Sequence, residues 1–244
     1  MAIEHEGLLE EFEFVEQPEE NARIRSLFEP ADPRFHEMAY HLIIGEQDEV
    51  DRLTKEALDD GIDANTVLDD GLISGMTIVG VKFRDNIIFV PEVLVAARAM
   101  KAGMAHLDPI LSASGIEPIG KVIMGTVMGD LHDIGKNLCI MMLSGAGFEV
   151  HDLGVDTKPE EFVEAVREHN AQVVGMSALL TTTMMNIEKT IQLFEKEGLK
   201  GKVKTMAGGA AVSQELAVEM KADAYGKDAM ACVESAKELV GVTA

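Results

Sequence analysis

Apolar residues recur at helical spacing through residues 34–113, and the pattern predicts four helices. In the third helix, for example, Leu68, Leu72, Met76 and Val79 fall on one side. We expect the helices near residues 35–45, 46–60, 64–83 and 91–114. Because the links between them are short, an antiparallel four-helix bundle is expected.

Beyond residue 115 the pattern changes to short apolar runs that alternate with amphipathic helices. The predicted strands are residues 121–127, 149–153, 172–176, 203–207 and 222–225. The predicted helices lie near residues 134–144, 159–170, 183–197, 213–220 and 228–240. Alternation of this kind is typical of a parallel, doubly wound sheet, here with five strands and of flavodoxin-like (Rossmann-like) type. The predicted fold class is therefore α/β plus all-α, with an acidic extension over residues 1–32.

Charge and composition narrow the classes of partner. The formal net charge is −22, with 43 acidic and 21 basic side chains. Such a surface repels phosphate backbones and anionic lipid, so we expect neither nucleic acid nor membrane as a partner. The first residues lack a signal peptide, no apolar run approaches the roughly 18 residues of a membrane span, and the two cysteines fit core thiols. A cytoplasmic location is expected.

Candidate chemistry begins at the turn after the first strand. Asp130, His132 and Gly135 form the pattern D-x-H-x-x-G at a strand-to-helix turn. Ligands of open α/β sheets bind at the carboxyl ends of strands, and a nearby carboxylate can orient a metal-binding histidine. By itself this short pattern fits a solvated turn equally well, with Gly135 serving only close packing of helix on strand.

Two further turns favour a ligand. The third strand leads into a turn with hydroxyls at Ser177, Thr181 and Thr183, and the fourth ends in Gly208-Gly209. The carboxyl ends of parallel strands meet at one edge, so all three turns should converge there. Helix capping would explain one hydroxyl. Together the turns suggest a long ligand tail between small residues, with a histidine at its metal end.

These motifs resemble those of a known family. Residues 129–135, 177–179 and 208–209 look like the cobalamin-binding motifs of methyltransferase corrinoid proteins, which include the corrinoid proteins for methanol and methylamines and the cobalamin module of methionine synthase. Residues 71–76, 79–83 and 88–100 resemble the helical cap of the same proteins. The resemblance covers about residues 35–241. It implies a helical cap domain over residues 33–115 and a cobalamin-binding domain over residues 116–244.

The resemblance also implies roles for single residues. His132 would coordinate cobalt in place of the cofactor's own base (the base-off, His-on mode), Asp130 would hydrogen-bond the far ring nitrogen, and Thr183 stands where methionine synthase has a serine that extends this relay. The implied cofactor contacts around the three turns are Gly129, Leu131, Asp133, Ile134, Gly135, Ser177, Leu179, Thr181, Gly208 and Gly209.

Contacts at the two ends of the cofactor are implied as well. Tyr225 and Asp228 lie near the expected nucleotide end, and an ordinary strand end and helix N-cap explain them equally well. Apolar side chains of the cap would cover the upper face, although packing between helices accounts for the same pattern. These cap residues are Met76, Phe83, Phe89, Val90 and Val93.

The implied function is that of a methyl carrier. Cobalt would accept a methyl group from a substrate on a partner methyltransferase and pass it to a thiol or tetrahydrofolate acceptor on a second methyltransferase. The cofactor would be methylcobalamin or hydroxocobalamin. A reductive activase is a further expected partner, and a homodimer is left open. The alternatives are a subunit of an adenosylcobalamin-dependent mutase, a cobalamin-based regulator, and a flavodoxin-like domain without a corrin.

Overall fold

The structure, a computed structural model, describes residues 33–114 and 118–242. The predicted acidic extension over residues 1–32 lies outside the described residues. The chain divides into two compact units, one up to residue 117 and one from residue 118. In the part of the chain that is described, no helix is both long enough and apolar enough to cross a bilayer.

The first unit is all-α. Its elements are α1 (Pro33–Ile44), α2 (Gln47–Asp59), α3 (Ala64–Thr66), a π-helical segment (Val67–Ile73), α4 (Ser74–Arg84) and α5 (Val90–Ser114). Helix α1 packs against α2, α4 and α5, and α2 packs along α5. Of the stripe predicted for the third helix, Leu72, Met76 and Val79 are buried in this core and Leu68 is half-buried. Leu42 and Leu107 are fully buried beside them in the same unit.

One helix of this unit differs from its prediction. Residues 64–83 were expected to form a single regular helix, but seven of them, Val67–Ile73, form a π-helical segment. The wide turn brings Gly71 against α1, where an added Cβ would lie 2.5 Å from the sulfur of Met38. The hydroxyl of Ser74 donates to the carbonyl of Asp69 at 2.8 Å. A hydrophobic pattern cannot separate such a segment from the α-helix around it, because both bury one face.

The second unit is the predicted doubly wound sheet. Its elements are β1 (Lys121–Thr126), α6 (Ile134–Gly145), β2 (Glu149–Asp152), α7 (Pro159–His169), β3 (Val173–Ser177), α8 (Met185–Lys196), β4 (Lys204–Gly208), α9 (Gln214–Glu219), β5 (Ala224–Gly226) and α10 (Ala229–Val240). The strands are all parallel and lie in the order β2-β1-β3-β4-β5. This is the flavodoxin-like order, so the predicted fold class is confirmed.

The strand register brings the three candidate turns together. Thr126, Ser177 and Gly208 end their strands side by side, paired across β1, β3 and β4. The strand order reverses between β1 and β3, which is where flavodoxin-like sheets bind ligands. The predicted convergence of the turns on one edge is therefore confirmed.

The core beneath these turns is anchored by Phe162 of α7. Its ring is fully buried and lies against Gly125 of β1, where an added Cβ would approach the ring to 2.7 Å. Strand residues Ile123 and Val174 belong to the same buried cluster. The glycine near the end of β1 thus gives the aromatic ring room to pack directly on the sheet.

Replacing Phe162 with alanine is expected to lower the free energy of unfolding by about 3–5 kcal/mol, because it leaves a cavity under β1. Urea denaturation followed by circular dichroism measures the change. Val218→Ala, at an exposed apolar position of α9 in the same unit, should change it by less than about 0.5 kcal/mol. Equal effects of the two substitutions would contradict this description of the core.

Candidate functional site

The segment between β1 and α6 is held by hydrogen bonds from its neighbours. Its first amide, of Val127, donates to the carbonyl of Ser177 at 3.0 Å. Gly129 has a positive φ of 82°, and its amide donates to the carboxylate of Asp156 at 2.6 Å. The carbonyl of His132 accepts from the hydroxyl of Thr126 at 2.8 Å. The backbone that carries the histidine is therefore fixed at both ends.

The Asp130 carboxylate is fully buried at the centre of the site. One oxygen, Oδ1, accepts from the backbone amide of His132 at 3.1 Å and pairs with its Nδ1 at 2.7 Å. The other, Oδ2, accepts from the hydroxyl of Thr183 at 2.7 Å and from the amides of Leu179 and Leu180 at 2.8 and 3.3 Å. Five donors from two turns thus converge on one side chain.

These hydrogen bonds determine the charge of the carboxyl group. Burial by itself raises the pKa of Asp130, but the bonds from Thr183, His132 and the Leu179 amide outweigh it and hold the pKa well below its ordinary value. Hydrogen bonds to the charged form of a carboxylate have this effect. Asp130 is therefore an anion at neutral pH although it is buried.

The anion in turn orients His132. Because the Asp130 carboxylate can only accept, Nδ1 of His132 carries the proton in this contact, and the lone pair of the neutral ring lies on Nε2. Among the described residues, Nε2 has no hydrogen-bond partner, and the side chain is 52% exposed. An oriented imidazole with an open Nε2 is suited to bind a metal from outside.

Exposed apolar side chains flank the histidine in sequence and also occur in the turn after β3. Leu131 is 72% exposed and Ile134 is 74% exposed, and Leu179 and Leu180 from the turn after β3 are exposed as well. An added Cβ at Gly135 would meet no atom of the chain within 4 Å. Close packing of helix on strand, the alternative role of Gly135, is therefore wrong. Several exposed apolar side chains in turns that meet at one edge of a sheet are typical of a ligand site.

The double glycine has a different explanation. At Gly209, φ is +101° and an added Cβ would lie 2.2 Å from the carbonyl oxygen of Ala178. At Gly208 it would lie 2.9 Å from the carbonyl oxygen of Gly226. Packing within the chain thus requires both glycines, so they do not by themselves indicate a ligand. Their place in a tail channel stays a prediction.

The three predicted hydroxyls are not equivalent. Thr183 is buried and donates to Asp130, Ser177 is half-buried, and Thr181 is exposed. None of them caps α8, because its N-cap residue is Met184 and makes no side-chain cap bond. Capping, the alternative reading of one hydroxyl, is therefore wrong. Ser177 and Thr181 remain predicted contacts of the cofactor tail.

Tyr225 and Asp228 have roles within the chain. The Tyr225 hydroxyl donates to the carbonyl of Val212 at 3.0 Å. Asp228 is the N-cap of α10, and its side chain accepts from the amide of Ala231 at 2.8 Å. Tyr225 therefore has the role of an ordinary strand end and Asp228 that of an N-cap. A contact of either residue with the cofactor's nucleotide stays a prediction.

The predicted cap residues differ in exposure. Met76 and Val93 are buried, which fits packing between helices. Phe83 and Val90 are half-buried. Phe89 is 61% exposed, and its amide donates to the carboxylate of Glu92 at 3.0 Å at the start of α5. Phe89 is therefore the cap residue best placed to meet an external group.

Sequence reasoning missed several residues that support the site. Asn186 donates from Nδ2 to the carbonyl of Met128 at 2.7 Å. Lys136 is 2% exposed and pairs with Asp152 at 2.6 Å. Asp156 belongs to the turn after β2, a further carboxyl end next to β1. The strand order of a flavodoxin-like sheet was the signal that could have pointed to Asp152 and Asp156.

Comparison with known families matches both units. A family model described as a B12 binding domain matches residues 120–234, and a second model with the same description matches residues 34–108. The first match includes all three turns of the site, and the second includes all the predicted cap residues.

Curated relatives match over most of their length. A corrinoid protein of Desulfitobacterium hafniense is 38% identical over 208 residues, which is 84% of this chain and 96% of that protein. The dimethylamine corrinoid protein of Methanosarcina barkeri is 44% identical over 181 residues, which is 73% of this chain and 84% of that protein.

Solved structures agree. A chain of the methanol:cobalamin methyltransferase complex MtaBC from Methanosarcina barkeri superposes with a TM-score of 0.79 at 28% identity, covering 100% of this chain and 95% of that one. A cobalamin-binding protein from Desulfitobacterium hafniense gives a TM-score of 0.71 at 28% identity, covering 85% of this chain and 98% of that one. The fold and site define a B12-binding protein. Within that class, the chain belongs to the corrinoid proteins of methyltransferase systems.

The lowered pKa of Asp130 predicts how stability depends on pH. A carboxyl whose pKa is lower in the folded state stabilises the fold above its unfolded pKa of about 3.9 and loses that contribution as pH falls towards the folded value. We therefore expect Asp130→Asn to unfold more easily than wild type between pH 5 and 7, with a difference that shrinks below about pH 4. Urea denaturation over this pH series measures it, and a difference that grows on acidification would contradict the account.

Proposed function

We propose that the protein is a methyl carrier, in which bound cobalamin accepts a methyl group on one methyltransferase and yields it on another. When bound, the cofactor supplies a cobalt centre that can take up and release a methyl group. The observation that carries the proposal is the oriented His132 with its open Nε2. The residues of the chain hold, orient and shield the cofactor.

The site fits a corrinoid on three counts. His132 offers one open ring nitrogen to a metal whose remaining ligands the bound corrinoid would supply. Leu131, Ile134 and Leu179 expose apolar surface that the corrin ring would cover. Gly135 leaves open space at the first turn of α6. We propose His132 as the lower cobalt ligand in a base-off, His-on mode, with the cofactor's tail running along the turns after β3 and β4.

Asp130 and Thr183 tune the histidine. The Asp130 anion keeps the proton on Nδ1, which makes Nε2 the better donor to a metal. Hydrogen bonds from Thr183 and two backbone amides keep the Asp130 carboxylate ionised and fix its orientation towards His132. Because a proton and a metal cannot occupy Nε2 together, the tautomer with its proton on Nδ1 is the one that could bind a metal.

The helical unit is proposed to cap the upper face. Phe89 and the half-buried Phe83 and Val90 supply apolar surface that would limit the access of water and oxidants to the reactive metal. The buried Met76 and Val93 would support them by packing within the helical unit.

Partners are proposed from the relatives. Two of them are a dimethylamine corrinoid protein and a chain of a methanol:cobalamin methyltransferase complex. We therefore propose a methyltransferase for a methylated amine or methanol as donor partner, and a thiol or tetrahydrofolate methyltransferase as acceptor partner. A reductive activase would restore the metal after oxidation. A cytoplasmic location and a homodimer are retained as proposals.

The alternative is a cobalamin subunit of an adenosylcobalamin-dependent mutase, which would use the same sheet. The match of a B12 binding domain to the helical unit, over residues 34–108, favours the carrier. Bound adenosylcobalamin together with isomerase activity would favour the mutase.

Gly135→Leu is expected to bind hydroxocobalamin at least about tenfold more weakly, because the new side chain fills space that the cofactor needs. The stability of the cofactor-free protein should stay nearly unchanged, since no atom of the chain lies within 4 Å. Glu160→Leu is the matched control, because Glu160 holds the same second position in α7. Titration followed by absorption measures both affinities. Wild-type affinity in Gly135→Leu would contradict the proposed site.

The carrier function predicts methyl transfer that depends on a partner. The reduced, cobalamin-loaded protein should acquire isotope-labelled methyl from methanol or a methylated amine only when the matching methyltransferase is present. His132→Ala should lower the extent of loading, because the metal loses its protein ligand. Loading that is equally fast without any methyltransferase would contradict a carrier that depends on partners for its substrate.

A further inference from the structure

We propose that Asp156, in the turn between β2 and α7, is a positioning residue for the lower ligand, and that this turn holds the histidine segment (residues 128–133) in place. The inference rests on the proposed function of His132 and deepens it. Asp156 would touch neither metal nor substrate. It would act through the Gly129-Asp130 backbone.

Two hydrogen bonds link Asp156 to this backbone. Its Oδ1 accepts from the amide of Gly129 at 2.6 Å, and its own amide donates to the carbonyl of Asp130 at 3.0 Å. A single residue thus binds the chain on both sides of the Gly129–Asp130 peptide. Because the Asp130 side chain leaves the backbone directly after this peptide, its direction depends on these two hydrogen bonds.

The backbone of Asp156 is itself firmly placed. It adopts the left-handed conformation with φ of +54°, which aspartate tolerates better than most residues. On either side of it, β1 extends its pairing into the turn: the amide of Thr126 donates to the carbonyl of Gly154, and the amide of Thr157 donates to the carbonyl of Thr126, both at 3.0 Å. The turn is therefore a continuation of the sheet and can serve as a rigid support.

A second link joins the same turn to the other end of the motif. Lys136, in the first turn of α6, is buried and pairs with Oδ1 of Asp152 at 2.6 Å. The same oxygen accepts from the amide of Gly154 at 2.8 Å. A buried ammonium group is retained only when it is paired, so this contact anchors the start of α6 beside the turn.

The Asp130 segment is thus held from two sides. The turn after β3 donates to one carboxylate oxygen, Oδ2, and the turn after β2 binds the backbone that carries the side chain. His132 is half-exposed, and its ring is oriented chiefly through Asp130. Removing the Asp156 side-chain hydrogen bond should therefore misorient the His132 ring, while the hydrogen bonds from the turn after β3 to Asp130 remain.

Three variants separate the effect of the Asp156–Gly129 hydrogen bond from that of the left-handed backbone conformation of residue 156. Asp156→Gly permits the left-handed conformation but removes the acceptor for Gly129. Asp156→Asn keeps both the conformation and a side-chain oxygen. Asn170→Gly is the matched control, because Asn170 has a φ of +52° at the end of α7 and lies at the opposite end of that helix from the β2 turn.

Asp156→Gly is expected to weaken hydroxocobalamin binding by about tenfold, as substitutions of residues that orient metal ligands do, and to lower the His-on fraction in the absorption spectrum. Nitrogen NMR of the cofactor-free protein should show less of the Nδ1-protonated form of the His132 ring. Asp156→Asn should restore both properties, and Asn170→Gly should leave both at wild-type values.

Wild-type affinity and wild-type ring protonation in Asp156→Gly would overturn the inference, as would an Asp156→Asn variant that fails as badly as Asp156→Gly. His132→Ala distinguishes these results from failure of the proposed function. If His132→Ala binds cobalamin with an unchanged spectrum, His132 is not the ligand at all. If it loses the spectrum while Asp156→Gly retains it, only the role of Asp156 fails.

Discussion

The buried carboxylate of Asp130 is the interaction on which the site depends. It lies at the switch point of the sheet, where the turns after β1 and β3 meet, and five donors from those turns converge on it. An unpaired anion at this depth would be strongly destabilising. With five donors it remains charged, joins the two turns, and gives the exposed His132 ring a fixed tautomer and direction.

The proposed function separates the binding of the cofactor from the recognition of the substrate. Under the proposed function, the α/β unit would supply a preorganised metal ligand and an apolar surface for the cofactor. Substrate recognition would then belong to partner methyltransferases, and His132, Asp130 and Thr183 would tune the metal of the bound cofactor. A formal net charge of −22 offers such partners a surface for electrostatic steering.

Much of this could be predicted from the sequence. The alternating pattern predicted the parallel sheet, and the D-x-H-x-x-G turn pointed to His132 and Asp130 because a strand end followed by a helix is recognisable locally. Asp156 was missed because its partner, Gly129, is 27 residues away and only the strand order brings them together. The double glycine suggested room for a ligand because the true neighbour of Gly209, Ala178, is likewise distant in sequence. The π-helical segment escaped because its apolar stripe resembles that of an α-helix.

Electron paramagnetic resonance of the cobalt(II) form tests the central claim most directly. One axial nitrogen splits each cobalt line, and the splitting pattern depends on the nitrogen isotope. If His132 is the lower ligand, protein made with nitrogen-15 histidine and loaded with unlabelled cobalamin will show a doublet in place of the triplet of unlabelled protein. A triplet that persists after labelling would show that the cofactor's own base, and not a histidine, binds the metal, and would contradict the account.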